Sequence, residues 1–424
     1  MPSVGFSGPA GRAACQNAAM HAESPREPWT RRHVAAVAVG VVAAAALRLA
    51  LLPTEGLRGD IDQFVGWVNH IATNGLPRTF DEELTFGPVM AYVWGLLGAV
   101  EPGFRTATDA SDPWLRSLMK LPAALADFGL AAGVGFALRA RPAWAVAGVL
   151  AILFHPAVWY VSAWWGQYES VFVLAALVAT LFAIGGRDGL AAVFLAAAVL
   201  TKPQALPLLV PFAAWFLARG GIGGLGRATL AGGATALVLW LPFLTEGGPL
   251  NYVRGIGALQ DDVFSILSLR AWNAWWLVQE VGADGNFASD RVTIVGPITF
   301  RQVGYVITGL LALVVAHRVW RDPRPRTLVL GLAAITLVAF TFLTTMHERY
   351  AYGAVVFLML LIAEPRVRWL GLAFGVVFTL NLVAAVPATP ELGALVPVSG
   401  AVGVVGSIAI VILMARTVGL LRAR

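Results

Sequence analysis

Apolar residues recur along this chain in long blocks with little polar interruption. Blocks at roughly 33–53, 115–138, 143–163, 168–186, 189–200, 203–218, 228–245, 302–319, 327–345, 350–363, 369–386 and 396–415 each read as a membrane helix. The warrant is length, since about 20 apolar residues cover the hydrocarbon thickness of a bilayer. A shorter run at 86–100 either dips into the bilayer or crosses it, which sets the expectation at about twelve or thirteen spans. The blocks 189–200 and 203–218 are too short to cross upright and are separated by Thr201-Lys202-Pro203-Gln204. Pro203 has no amide to donate, so a helix break is predicted there. Such a break at membrane depth persists only where protein or a wet cavity covers it. Barrel strands would alternate apolar and polar over about ten residues, and no such alternation occurs. The pattern predicts an all-α, polytopic helical membrane protein. Residues 1–28 read as a disordered leader and 29–424 as one transmembrane domain.

Composition agrees. Of 424 residues, 58% are hydrophobic and 13% charged, with mean hydropathy +0.74; a soluble domain carries roughly 25% charged residues. The net charge of +6 comes mostly from arginine, with lysine only at Lys120 and Lys202. The arginines cluster between apolar blocks, where the positive-inside rule accounts for them without a nucleic-acid partner. If these clusters are cytoplasmic, the remaining connections share the opposite face: two long loops at about 54–85 and 246–301, and the turns around Gln167, Lys202 and His347. The Trp-rich piece Arg270–Trp276 in the second loop predicts an ordered helix lying at the headgroup level. Cys15 is the single cysteine, so neither an intrachain disulfide nor a cysteine metal site is available. The first block, after Arg31, Arg32 and His33, reads as an uncleaved span because no small-residue cleavage site follows it.

The ionisable residues on that shared face are the candidate chemistry. In Arg58–Trp67, Asp60 and Asp62 follow the first span. Two residues apart on a helix, they point to different faces, so one of them meets a shared cavity. Such an aspartate can take a proton from an attacking hydroxyl or simply cap a helix. In Ser162–Ser170, Trp165, Gln167 and Glu169 surround Gly166; indoles, amides and carboxylates suit the C–H faces and hydroxyls of a sugar, or the tryptophans mark an interface. Lys202, with Gln204 beside it, sits between two half-helices. A lysine at that depth needs a partner, a lipid phosphate to neutralise, or a route to the headgroups. His347-Glu348-Arg349 follows a long apolar run. A zinc-protease motif needs a second histidine at 351, which is Ala351, and is excluded. Arg349 is suited to phosphate, with His347 as a hydrogen-bond donor beside it. Lys120 and Asp127, seven apart on one helix face, read as a structural polar stripe.

Taken in order, Gly59-Asp60, Lys120…Asp127, Trp165-Gly166-Gln167, Lys202-Pro203-Gln204, Asn273–Trp276 and His347-Glu348-Arg349 resemble the GT-C superfamily of integral-membrane glycosyltransferases. The likeness is strongest to the dolichyl-phosphate-glucose-dependent glucosyltransferases and their bacterial polyprenyl-phosphate-sugar-dependent relatives, and runs through most of 33–386. The resemblance implies an acceptor-activating aspartate at Asp60, inverting transfer, a site needing no metal or cofactor, and a donor lipid threading between helices toward the outer face. One position departs from the family pattern, Thr345 standing where its first histidine would be.

The expectation is a hexosyltransferase moving mannose or glucose from a polyprenyl-phosphate donor to a glycolipid, glycan or protein hydroxyl. Asp60 or Asp62 is the base. Lys202, His347 and Arg349 meet the donor phosphate, and Trp165, Gln167, Glu169, Gln204 and Glu348 meet the sugar or acceptor. The Ala-, Gly- and Arg-rich composition points to a bacterial inner membrane with the site on its outer face. The alternatives are a lipid or solute transporter, with charges lining a pathway, and a polysaccharide polymerase or ligase using a lipid-diphosphate donor.

Overall fold

The computed structural model describes residues 27–262, 264–283 and 285–422, with Asp261 described by its backbone alone. The expected leader, with Cys15, lies almost wholly outside the described residues, as does Asp284 of the second loop.

The described chain is helical and crosses a membrane repeatedly. Its principal helices are α1 (Arg31–Leu51), α2 (Arg58–Asn74), α3 (Pro88–Val100), α4 (Pro113–Ala137), α5 (Pro142–Phe154), α6 (Glu169–Ile184), α7 (Asp188–Thr201) and α8 (Leu209–Trp240). They continue with α9 (Gly248–Asp261), α10 (Ala274–Ala283), α11 (Phe300–Arg321), α12 (Pro325–Phe342), α13 (Tyr352–Met359), α14 (Pro365–Ala385) and α15 (Gly400–Gly419). Proline opens α3, α4, α5, α12 and α14, where its missing amide costs nothing and its fixed φ suits the first turn. Among the described residues, strand structure is confined to four short pieces, β1 (Ser268–Leu269), β2 (Thr293–Val295), β3 (Ile298–Thr299) and β4 (Met346–His347), with β1 parallel to β4 and β2 antiparallel to β3.

By length and apolarity, seven helical pieces qualify as spans, or eight if α5 and the segment Pro156–Trp165, bent by 43° at His155, count as one. That is fewer than the twelve or thirteen expected. Two causes are physical. The apolar helices α3, α6 and α7 have 13, 16 and 14 residues, so each reaches about 20–24 Å at 1.5 Å per residue, short of the hydrocarbon core. The 41-residue piece Pro203–Phe243 counts once, yet it reverses at Gly221, whose φ is +60°. A Cβ on Gly224 would lie 3.0 Å from the Phe216 carbonyl, whereas eight residues of straight helix would separate them by about 12 Å.

Helix α12 is the axis of the bundle, with 78% of its span buried, while α1 and α11 are 17% buried and form the rim. Arg324 and Arg326 stand at the start of α12 and the His347 turn follows its end, so the basic end and the turn are separated by the helix's length.

Both long loops are largely ordered. The 54–85 segment is mostly α2, and 246–301 contains α9, α10 and the β2–β3 hairpin. The expected Trp-rich helix forms as α10, and the indoles within it and just before it are packed inside the protein. Trp272, Trp275 and Trp276 are 1%, 6% and 1% exposed. Trp275 Nε1 donates to the Phe342 carbonyl at 2.7 Å and Trp272 packs over Gly406, where no Cβ would fit.

Candidate functional site

Asp60 sits in the first turn of α2, where no side chain caps the helix. Its carboxylate is held from elsewhere: Oδ2 accepts from Trp165 Nε1 at 2.9 Å and from Gln167 Nε2. Trp165 is the last residue of a π-helical stretch, Tyr160–Trp165, and Gln167 follows directly after the cap at Gly166, whose φ is +96°. That conformation favours glycine, and a Cβ there would press on Lys120 Cγ at 3.1 Å. Lys120 in turn donates to the Thr54 and Trp164 carbonyls, each at 2.7 Å. The lysine thus sews the α1–α2 connection to the tryptophan turn and sets Asp60 in place. Asp62 points elsewhere, accepting from Arg58 Nε and from the Ala110 amide, both at 2.7 Å.

A second cluster lies beside Asp60. Thr201 ends α7 and Lys202 is extended before Pro203, the predicted break, so its ammonium turns inward to pair with Glu169. Arg349 Nε lies 3.3 Å from the same Glu169 oxygen, and its Nη1 donates to Glu348 Oε1 at 3.0 Å. The guanidinium also stands over the Trp165 ring, 5.0 Å from its centroid, a cation–π contact that fixes its plane. Lys202 and Arg349 are thereby matched by Glu169 and Glu348. Outside the spanning helices, burial and the Arg349 charge hold the His347 imidazole below its ordinary range, so it is neutral at pH 7. Burial alone would raise the Glu348 carboxyl, but His347 and Arg349 outweigh it and hold it down to about 2.

The His347 turn is held by the second loop. β4 pairs with β1, and the Thr345 amide, at φ +61°, donates to Ile266 O at 3.0 Å. Asn273 Nδ2 donates to Phe340 O at 3.0 Å, and Thr344 Oγ1 to Asp290 Oδ2 at 2.7 Å. Asp290 is fully buried and paired with Arg301. This support from residues far away in the chain carried no signal in the sequence beyond Asn273.

These groups surround a cavity of about 610 Å³. Its polar lining includes Asp60, Gln167, Lys202, Gln204, His347 and Arg349. Leu206, Pro207, Ala339 and Phe340 add apolar surface and Tyr305 a phenol ring, and Leu206 and Tyr305 are 49% and 53% exposed. Among the described residues, three buried acceptors near this cavity have no hydrogen-bond partner, Gln167 Oε1, Glu169 Oε2 and Gln204 Oε1. Six of the ten expected site residues therefore line one space. Trp165, Glu169 and Glu348 stand behind that lining, as holders of Asp60 and of the two cations, and not as sugar contacts; Asp62 is outside it. Gln63 and Tyr350 also line the cavity without having been singled out. Gln63 is three residues after Asp60, on the same helix face, a spacing that could have found it. Among the described residues, no group of three His, Cys, Asp or Glu side chains could hold a metal ion.

No protein-family model matches this chain, and no curated protein matches it either.

Proposed function

We propose that the protein is a membrane hexosyltransferase that uses a polyprenyl-phosphate sugar. The observation that carries this reading is the mixed lining of one cavity: a carboxylate and two cations together with apolar side chains, of which Leu206 is also exposed at the protein surface. Such a lining suits a ligand with a charged head and a hydrocarbon tail, with a base beside the head.

In this reaction an acceptor oxygen bonds to the anomeric carbon as the anomeric C–O(phosphate) bond breaks, and the acceptor proton passes to Asp60. Oδ2 of Asp60 is occupied by Trp165 and Gln167, so Oδ1 receives the proton. The donor is a phosphodiester of one negative charge and the leaving group a phosphomonoester of two, so negative charge grows at the phosphate during transfer. The cations are already matched by Glu169 and Glu348 and do not overbind the donor. Lys202 spends one of its three N–H groups on Glu169, and its remaining donors, with those of Arg349 and neutral His347, meet the growing charge. Binding that strengthens toward the transition state is what raises rate. Attack opposite the leaving phosphate inverts the anomeric centre. By the distribution of arginine, the site faces the extracytoplasmic side of a bacterial inner membrane.

The test is transfer of labelled hexose from polyprenyl-phosphate mannose and polyprenyl-phosphate glucose by purified protein in nanodiscs, against lipid-diphosphate donors. Product from a monophosphate donor supports the reading. Movement of an unmodified lipid across vesicles without a new glycosidic bond would overturn it in favour of transport.

A further inference from the structure

A second groove, of about 660 Å³, runs beside the first cavity, and Gln63 and Leu259 line both. The face of α2 that carries Asp60 continues along it. Asp60, Gln63, Trp67, His70 and Asn74 follow at intervals of three and four residues, so they form one stripe about 21 Å long. The far half of the stripe lies in the groove together with Thr73. Trp67 is almost wholly buried and is among the groove's lining residues.

Opposite the stripe stand Asp81, Glu82 and Glu83, all exposed. The wall that bears them is braced through His70, whose Nε2 lies 2.9 Å from the Arg78 carbonyl and whose Nδ1 lies 3.1 Å from Asn74 Nδ2. With Nε2–H donating to Arg78, Nδ1 accepts from Asn74, and the side-chain amide oxygen of Asn74, a lining residue of the groove, is not used in that contact.

We infer that this groove binds the acceptor, and that the acceptor is a phosphate-free, hydroxyl-rich oligosaccharide. The inference rests on the transfer reaction proposed above. Amide, hydroxyl and carboxylate groups spaced along an open groove match a chain of sugar hydroxyls, and the Trp67 indole matches a C–H face. Charge selects further. Three carboxylates line the groove, with no lysine or arginine among its lining residues, whereas the adjoining cavity is lined by Lys202 and Arg349. The two spaces sort substrates differently: a phosphate finds charged N–H donors in the cavity at hydrogen-bonding range and is repelled by the acids of the groove. An acceptor carrying its own phosphate or diphosphate near the reacting sugar is disfavoured. A neutral or amine-bearing glycan lies along α2 with its terminal hydroxyl at Asp60.

The deciding experiment measures binding first and transfer second. Protein carrying Asp60→Asn in nanodiscs is exposed to an array of neutral, amine-bearing and phosphorylated oligosaccharides, read by saturation-transfer NMR. Neutral and amine-bearing glycans are expected to bind and phosphorylated ones to fail. Asn74→Ala should weaken binding about 10-fold, the effect of one lost hydrogen bond. The double charge reversal Glu82→Lys with Glu83→Lys should turn the preference toward phosphorylated glycans. In otherwise unaltered enzyme, Asn74→Ala should raise the acceptor KM by a similar factor and move the donor KM by less than about two-fold. Absence of glycan binding, a preference for phosphorylated glycans, or binding indifferent to both variants overturns the inference. Glycan binding that follows the variants without any hexose transfer leaves the groove standing and removes the transferase reading instead.

Discussion

Two of the buried charge clusters among the described residues differ in one respect: one does not open onto a cavity and the other does. In the first, Asp127 Oδ2 meets Arg48 Nε at 2.9 Å, Arg48 Nη2 at 2.8 Å and the Ser162 hydroxyl, and its Oδ1 accepts from Tyr352 at 3.4 Å. Arg48 Nη1 donates to the Leu153 carbonyl at 3.0 Å. Both oxygens of the acid are engaged, and neither Arg48 nor Asp127 lines the cavity. In the second, Glu169 binds Lys202 and Arg349 through one oxygen and leaves the other without a partner, as Gln167 and Gln204 each leave their amide oxygens. The first cluster ties α1, α4 and the 155–165 segment together. The second holds unspent hydrogen-bonding capacity beside a space. Burial of charge alone does not mark a site; spare capacity facing a cavity does.

That contrast can be broken or sharpened by substitution. The largest effect is expected from Asp60→Asn, which should lower transfer about 10²–10⁴-fold, the usual weight of a positioned base, while the thermal unfolding temperature in detergent is unchanged. Equal activity in Asp60→Asn would detach the open cluster from catalysis. Arg349→Gln should lower kcat about 10²–10³-fold through loss of charge stabilisation, measured with saturating donor. Asp127→Ala should act in the opposite manner. Leaving Arg48 buried without its partner costs about 3–5 kcal/mol of stability, visible as a fall in unfolding temperature, and the folded fraction should transfer hexose at close to the normal rate. If Asp127→Ala abolished turnover in fully folded protein, the closed cluster would have to be counted with the site.

Acid stability gives a smaller effect. The folded Glu348 carboxyl is held at about 2 from an ordinary 4.5, so below pH 4.5 the unfolded chain takes up the proton first. Its stabilisation is complete above that value and is lost as pH falls toward 2. Unfolding temperatures measured from pH 6 to 3 should decline less steeply in Glu348→Gln than in unaltered protein. The smallest effect belongs to Asp62→Asn, which removes the charge of a half-buried ion pair with Arg58 and leaves an amide oxygen to accept from Ala110. About 1 kcal/mol of stability or less is expected, with transfer changed less than about three-fold; a large loss there would move the base two residues along α2.

The helical membrane class was legible from block length, and the break at Lys202-Pro203 from proline chemistry. The reversal between 203–218 and 228–245 was legible too, since Gly and Arg interrupt the apolar run there. Helix α2 was missed. Its apolar positions Ile61, Phe64, Val65, Val68 and Ile71 do repeat at helical spacing, but the charges among them hid that pattern inside a segment read as a loop. The aromatic packing of Phe64 and Trp67 against Phe86 and Trp94 that fixes the helix is not local. For the site, the order of motifs was enough to select Asp60, Gln167, Lys202 and Arg349. It could not tell that Glu169 and Glu348 are counter-ions, or that Asp127 belongs to Arg48, 79 residues earlier.

The division has a physical origin. Whether a segment enters a bilayer depends on the summed transfer free energy of its own side chains, and that sum is written in consecutive residues. Whether a buried carboxylate is satisfied or spare depends on hydrogen bonds that vanish beyond about 3.5 Å, between groups brought together only by the packed fold. The chain by itself therefore determined the medium and the helices, and the tertiary structure alone decided which of its buried charges still have something to bind.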